Sequence, residues 1–144
     1  MVVKYDLSSD EVECYRRDGY LFPLDVFDAD EVSRIQAELE QAREDGCRQG
    51  LEAELTQLLR TNAHLLLPFV NRVARTPQLL DRVASILGPN LLLWSAEFFI
   101  KPAQTDKIVS WHQDLTYWGL GETDEELTAW LALSDVTPES GCMR

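Results

Sequence analysis

Apolar residues in the first part of the chain recur every three or four positions, the spacing that places them on one face of a helix. Ser8 and Glu11 have the spacing of a capping box, which predicts a helix that begins after Ser8 and ends near Gly19. Asp28 is placed to cap a second helix that ends near Gly46. The predicted apolar face of this second helix consists of Val32, Ile35, Leu39 and Ala42.

Two further helices are predicted before residue 90. A stripe of leucines indicates the first of them: Leu51, Leu55, Leu58 and Leu59. Thr76 followed by Pro77 is typical of a helix start, and Gly88 followed by Pro89 is typical of a stop. His64 lies in this helical region before three leucines, and we expect it to be a helix-end or partly buried side chain.

From residue 93 onward the pattern changes to the alternation of a strand. Residues 93–101 place one set of side chains on one face, namely Trp94, Ala96, Phe98 and Ile100, and a second set on the other, namely Ser95, Glu97, Phe99 and Lys101. Residues 127–134 repeat the alternation, and their more polar face carries Thr128, Trp130, Ala132 and Ser134. Large functional side chains on the polar faces suit the inside of a ligand-holding barrel. Helices followed by strands predict an α+β fold, with helices packed outside a sheet.

Composition narrows the class of protein. The chain has 144 residues, of which 45% are hydrophobic, and 13 basic against 25 acidic residues give a net charge of -12. A strongly acidic surface repels nucleic acid and anionic membranes, so we expect neither as a partner. Cys14, Cys47 and Cys142 are widely spaced and form no CxxC motif, which is typical of free thiols in a reducing compartment. The N-terminus lacks the pattern of a signal peptide, and we expect a cytoplasmic protein.

The last residues directly follow a predicted strand and turn. Two clear strands cannot close a sandwich or a barrel, and the sheet that they form would have open edges. We therefore interpret the chain as the first part of a longer domain.

His112 and Asp114 are candidate metal ligands. Residues two apart on a strand share a face, and an imidazole with a carboxylate suits a divalent first-row metal such as iron. Together with a second histidine they form the facial triad of non-haem iron oxygenases. A packed or hydrogen-bonded histidine fits the same spacing, so this motif by itself leaves both interpretations open.

Two longer stretches extend the motif: EFFIKPAQTDKIVSWHQDLTYWGL and LTAWLALSDVTPESGCMR. They resemble the phytanoyl-CoA dioxygenase family, whose members are iron(II)- and 2-oxoglutarate-dependent oxygenases with a double-stranded β-helix core. The resemblance is ungapped from about Leu91 to Arg144, and RRDGYLFPLDVFDADEV is similar to the family's opening. It implies a single, incomplete oxygenase domain, in which N-terminal helices (1–90) pack on a cupin-like jelly roll. Residues 91–144 would supply the first strands of that core.

The resemblance also implies roles for individual residues. His112 and Asp114 match the first two iron ligands, Trp130 matches a residue that lines the 2-oxoglutarate pocket, and Glu97 lies near another such position. By position only, two residues would border the substrate: Tyr117 and Trp118. In the family, a third ligand (a histidine) and an arginine for 2-oxoglutarate lie further downstream. His64 is the only other histidine here and a possible third ligand, although its helical context upstream of the sheet speaks against this role.

The implied function is that of a dioxygenase with iron(II), 2-oxoglutarate and O2, which hydroxylates a small molecule as part of a longer chain. By itself, the 144-residue chain is expected to be inactive. Two alternatives stay open, namely a non-catalytic binding or regulatory module and an inactive fragment that lacks the third ligand. No residue in the sequence indicates which substrate is bound or which oligomeric state is formed.

Overall fold

The computed structural model describes residues 4–106 and 108–143. The chain divides into two compact units, of which the first extends to Phe99 and the second begins at Ile100. Six helices belong to the first unit: α1 (Ser9–Asp18), α2 (Ala29–Gln49), α3 (Glu52–Arg60), α4 (Ala63–Leu66), α5 (Pro68–Ala74) and α6 (Pro77–Leu87). The described residues of the second unit form one short helix, α7 (Leu115–Trp118). No helix in the described part of the chain has both the length and the apolar character needed to cross a membrane.

Local signals determine most helix ends, as predicted. The Ser8 hydroxyl accepts from the Glu11 N–H, and the Glu11 carboxylate accepts from the Ser8 N–H at 2.8 Å, so the capping box is confirmed. Helix α1 ends at Gly19, whose φ of 80° is left-handed and favours glycine. Asp28 caps α2 in the same way as Ser8 caps α1. Helix α6 begins with Pro77 after Thr76, which confirms the prediction for that helix too.

Gly46 lies near the end of α2, as predicted, and the helix continues to Gln49 with Gly50 as its C-cap. Gly46 also makes a close contact with α3. A Cβ atom at this position would lie 2.7 Å from Leu55 Cδ2, closer than packed atoms approach each other. The glycine therefore marks the place where α3 packs tightly on α2, a contact that helix-end rules do not describe.

Helices α4 and α5 lie at the core of the first unit. The buried apolar residues are Ile35, Leu59, Ala63, Phe69 and Val70. Among the described polar residues, His64 is the one that is buried, with 8% of its surface exposed. It lies in α4, which confirms its helical setting.

Side chains of α6 hold the N-terminal segment against the first unit. The Tyr5 N–H donates to Asp81 Oδ2 at 3.0 Å, and the Leu7 N–H donates to the Ser85 hydroxyl at 3.0 Å. The Arg82 guanidinium lies 5.8 Å from the centre of the Tyr5 ring. Asp81 and Ser85 of α6 thus accept hydrogen bonds from two backbone N–H groups that lie outside any helix.

The predicted α+β fold with a double-stranded β-helix (jelly-roll) core is wrong for residues 4–106 and 108–143, which are helical or irregular and contain no strand. The segments 93–101 and 127–134 show no ladder to a neighbouring strand. Two backbone bonds tie the first segment to the helical region: Phe98 N–H donates to the Leu59 carbonyl at 2.7 Å, and Ala63 N–H donates to the Ala96 carbonyl at 2.8 Å. Alternation tells which side chains share a face, but a strand also needs a hydrogen-bonding partner.

The side chains of residues 127–134 keep most of the predicted alternation between partly buried and exposed positions. Three apolar positions are partly buried, namely Leu127, Leu131 and Leu133, whereas the polar face is exposed at Thr128, Trp130, Ala132 and Ser134. Ala129 departs from the pattern and is exposed. The sequence therefore predicted the sides of this segment correctly for most residues, although the segment forms no sheet.

The capping box of α1 is expected to make stability depend on pH. Hydrogen bonds from the Ser8 backbone and hydroxyl hold the pKa of Glu11 below its usual value. A lowered pKa in the folded state means that the carboxylate stabilises the fold above its unfolded pKa, and that this contribution is lost as pH falls through the folded pKa. Glu11→Gln should therefore lose less stability than the parent when pH falls below about 4.

Urea unfolding at pH 6 and pH 3, followed by circular dichroism, measures this difference. Glu13→Gln removes the same charge from the same helix and leaves the capping box intact, so it is the matched control. An equal acid response of Glu11→Gln and the parent protein would contradict the prediction.

Candidate metal centre

His112 has one ring nitrogen tied to the backbone. Its Nδ1 atom lies 2.7 Å from the Ser110 carbonyl oxygen. Because a carbonyl can only accept, Nδ1 carries the proton and donates, which leaves Nε2 as the nitrogen available to a metal. This hydrogen bond raises the pKa of His112, and the negative charge of Asp114 raises it further.

Asp114 has one oxygen directed to each of two neighbours. It precedes α7 as the N-cap residue, but its side chain makes no capping hydrogen bond. Oδ1 lies 3.1 Å from His112 Nε2, and Oδ2 accepts a hydrogen bond from the Thr128 hydroxyl at 2.6 Å. The two candidate ligands therefore face each other through the two atoms that their other hydrogen bonds leave available.

This pair fits a divalent metal ion in its chemistry and in its spacing. Two donor atoms that each lie about 2.1 Å from one metal at right angles are about 3 Å apart. The Nε2–Oδ1 distance of 3.1 Å agrees with this value, and it is equally the distance of a direct hydrogen bond between a protonated ring and the carboxylate. A neutral imidazole with a carboxylate is a donor set that iron(II) accepts. Each side chain is 32% exposed, so one side of the pair is open to a small molecule.

A cleft of about 230 Å³ adjoins His112 and is lined by Val109, Ser110, Trp111, His112 and Tyr117. The Tyr117 ring meets the His112 ring edge-on, with 5.9 Å between the ring centroids. Tyr117 thus lies beside the candidate ligands, and 74% of its surface is exposed. Trp118, the last residue of α7, is partly buried and is not among the residues that line this cleft.

The residues predicted for the cosubstrate pocket lie in different units. Trp130 belongs to the second unit, two residues after Thr128, and is 45% exposed. Glu97 belongs to the first unit, between Ala96 and Phe98 with their backbone bonds to the helical region. The roles of Trp130 and Glu97 stay predictions.

A complete metal site is not found within residues 4–106 and 108–143, where no three or more His, Cys, Asp or Glu side chains form a group that could hold a metal ion. His64, the remaining histidine, lies in the first unit. Its Nδ1 atom is buried and has no hydrogen-bond partner in the described structure. The role of His112 and Asp114 as two metal ligands therefore stays a prediction.

Residues 15–144 match the family model described as phytanoyl-CoA dioxygenase (PhyH). The chain belongs to this family. The match covers most of the chain and includes both candidate ligands, the Thr-Ala-Trp segment and the helices from the middle of α1 onward. It confirms the family that the sequence motifs predicted.

Curated relatives of this family member include ectoine dioxygenases. The one from Bordetella parapertussis is 31% identical over 119 residues, which are 78% of this chain and 38% of that protein. The one from Stutzerimonas stutzeri is 28% identical over 144 residues, which are 94% of this chain and 48% of that protein. A probable alpha-ketoglutarate-dependent hypophosphite dioxygenase from Stutzerimonas stutzeri is 26% identical over 141 residues, 90% of this chain and 49% of that protein. The chain thus spans about half the length of these relatives or less. No solved structure matches it.

Sequence reasoning missed Thr128 as a partner of Asp114 in this PhyH-family chain. The signal was present in part, because Thr128 shares the polar face of its segment with Trp130. The position of Asp114 relative to that face, 14 residues away in the chain, follows only from the folded structure.

Proposed function

We propose that this chain is part of an iron(II)- and 2-oxoglutarate-dependent dioxygenase that hydroxylates a small molecule. The observation that carries the proposal is the pair His112 Nε2 and Asp114 Oδ1, which are 3.1 Å apart and oriented by separate hydrogen bonds. The membership of the family and the dioxygenase names of the relatives support the same class of enzyme.

We assign the following roles to residues of this chain. His112 and Asp114 would hold iron(II), while Trp130 and Glu97 would line the 2-oxoglutarate pocket. When bound, iron(II) with 2-oxoglutarate and O2 supplies the oxidising power for insertion of oxygen into a C–H bond, or into a P–H bond where the substrate is hypophosphite. The Ser110 carbonyl keeps the Nδ1 proton of His112 in place, so that the neutral ring presents Nε2. The third ligand and the arginine for 2-oxoglutarate would come from outside residues 1–144.

The cleft beside His112 is the proposed place for the substrate. The exposed rings of Trp111 and Tyr117 form part of its wall, and its volume of about 230 Å³ is smaller than that of usual ligand pockets, about 300–1,000 Å³, so it favours a compact substrate. The relatives carry the names of ectoine and hypophosphite dioxygenases, so these two compounds are the first substrates to test. Trp118 would border the substrate from α7 only by its position in the sequence.

The test uses the protein expressed from its complete reading frame, with iron(II), ascorbate, 2-oxoglutarate and O2. We expect succinate formation that requires iron, and incorporation of one ¹⁸O atom from ¹⁸O₂ into the product of a true substrate. A protein that binds iron(II) and 2-oxoglutarate but forms no succinate with any candidate substrate would contradict the proposal. That outcome would favour the non-catalytic binding module instead.

Trp130→Phe is expected to raise the KM for 2-oxoglutarate about tenfold with little change in kcat, because one lost hydrogen bond or wall contact costs about 1.4 kcal/mol of binding. Initial rates of succinate formation against 2-oxoglutarate concentration measure the effect. Trp94→Phe makes the same chemical change at a side chain of similar exposure, 47% against 45%, and is the matched control. An unchanged KM in Trp130→Phe would remove Trp130 from the cosubstrate pocket.

A further inference from the structure

We propose that Thr128 is a positioning residue for Asp114, and that its hydroxyl group holds the carboxylate in the orientation that directs Oδ1 to His112. The proposal rests on the metal centre proposed above and adds a residue to which no role has been given. Thr128 would not touch the metal. It would act through Asp114.

The geometry of the contact supports this role. Thr128 Oγ1 lies 2.6 Å from Asp114 Oδ2. This distance is typical of a hydroxyl that donates to an ionised carboxylate, which is about twice as strong as a bond between neutral groups. The contact joins two segments that are 14 residues apart, so it fixes the carboxylate relative to a second part of the unit and not only relative to its own backbone.

The threonine side chain is suited to hold its hydroxyl in one place. Because threonine is branched at Cβ, few χ1 orientations are open to it, and the backbone of residues 127–134 largely determines where the hydroxyl points. A serine at the same position would offer the same donor with more freedom. A valine would keep the shape and remove the donor.

Glu126 is a competing acceptor for the same hydrogen. Its Oε1 atom lies 3.3 Å from Thr128 Oγ1, against 2.6 Å for Asp114 Oδ2. A hydroxyl group has one hydrogen, so the shorter and stronger bond to Asp114 is the one that it makes. Glu126 therefore provides a test of which partner matters.

Both candidate ligands are oriented on the side away from the metal. The Ser110 carbonyl holds Nδ1 of His112, and the Thr128 hydroxyl holds Oδ2 of Asp114. Without Thr128, Oδ2 loses its donor and the carboxylate can turn, so that the 3.1 Å spacing of Oδ1 and Nε2 is no longer maintained. Loss of such outer partners typically costs about 10- to 100-fold in metal affinity. Of the two supports, only Thr128 acts through a side chain and can be removed by substitution.

The experiment is an anaerobic cobalt(II) titration of the protein expressed from its complete reading frame, followed by the visible absorption of the bound metal. Thr128→Val should bind cobalt(II) about 10- to 100-fold more weakly than the parent and show a shifted absorption band. Thr128→Ser should restore the affinity to within about threefold of the parent, because the donor is back. Two controls should bind like the parent: Thr123→Val, whose lost hydroxyl accepts only from the Glu125 N–H among the described contacts, and Glu126→Gln.

Several results would overturn the proposal. Equal cobalt(II) affinity and an equal spectrum in Thr128→Val would show that the hydroxyl does not position Asp114. Equal weakening in Thr128→Val and Thr128→Ser, with a lower melting temperature of both metal-free variants, would show a packing effect. Stronger cobalt(II) binding by Glu126→Gln than by the parent would show that the hydroxyl donates to Glu126 in the parent, because the neutral amide oxygen is the weaker acceptor and would release the hydroxyl to Asp114. If the parent protein binds no cobalt(II), the metal centre itself fails, and the proposed function fails with it.

Discussion

Replacement of Asp114 by alanine is expected to reduce 2-oxoglutarate-dependent turnover of the protein from the complete reading frame to background. The change removes Oδ1, which lies 3.1 Å from His112 Nε2, and with it the negative charge that favours a divalent cation. Loss of an outer partner alone costs about 10- to 100-fold in metal affinity, so loss of the ligand itself should cost more. His112→Ala should have the same effect, since it removes the other half of the pair. Succinate formation and iron(II) affinity are the two measurements.

Loss of a helix cap would not explain such a result. Asp114 is the N-cap residue of α7, but its side chain makes no capping hydrogen bond, so alanine there removes no cap from the helix. Asp124→Ala, an exposed aspartate in the same unit, makes the same change in charge and should keep full activity. Undiminished turnover in Asp114→Ala would show that Asp114 is not an iron ligand.

The 144-residue chain by itself is expected to form no succinate with iron(II), ascorbate, 2-oxoglutarate and O2. Residues 4–106 and 108–143 contain no group of three or more potential ligands, and two ligands hold iron(II) much more weakly than three. The protein from the complete reading frame, assayed side by side, is the positive control. The prediction concerns turnover and is measured as succinate per mole of protein after one hour.

His64→Ala is the most informative control for this second prediction. It is the only histidine besides His112, and its buried Nδ1 atom has no hydrogen-bond partner in the described structure. His64→Ala should leave the iron affinity of the 144-residue chain unchanged, because no group of three potential ligands is found within residues 4–106 and 108–143. Turnover by the short chain that disappears in His64→Ala would contradict the prediction and make His64 the third ligand.

The helices of the first unit were predictable because their ends depend on neighbours in the sequence. The Ser8–Glu11 box, Asp28 and the Thr76–Pro77 pair act within one helical turn, and the structure confirms all three. Gly46 lies near the end of α2 as predicted, but its close contact with Leu55 of another helix was not predictable from its neighbours in the sequence. Short-range rules cannot separate a glycine that ends a helix from one that admits a neighbour.

The candidate site was predictable only in its first two members. A histidine and an aspartate two residues apart are visible in the sequence, and the structure places their available atoms 3.1 Å apart. The orientation of these atoms depends on the Ser110 carbonyl and the Thr128 hydroxyl. The contact of the Ser110 carbonyl cannot be read from residue types, because every residue has a carbonyl. The contact of Thr128 cannot be read from them either, because many polar side chains lie within a similar distance of Asp114 along the chain.

The sequence alone determined the helix limits at the capping residues, the acidic character of the chain, the family and the identity of the two candidate ligands. These properties depend on residue type and on separations of a few positions. Only the tertiary structure decided that residues 93–101 bond to Leu59 and Ala63, that residues 127–134 keep their alternation without a sheet, and that Thr128 reaches Asp114. The physical reason is the range of the hydrogen bonds: a helix closes its bonds within four residues, whereas a strand and a ligand cluster need partners that the chain brings together only by folding.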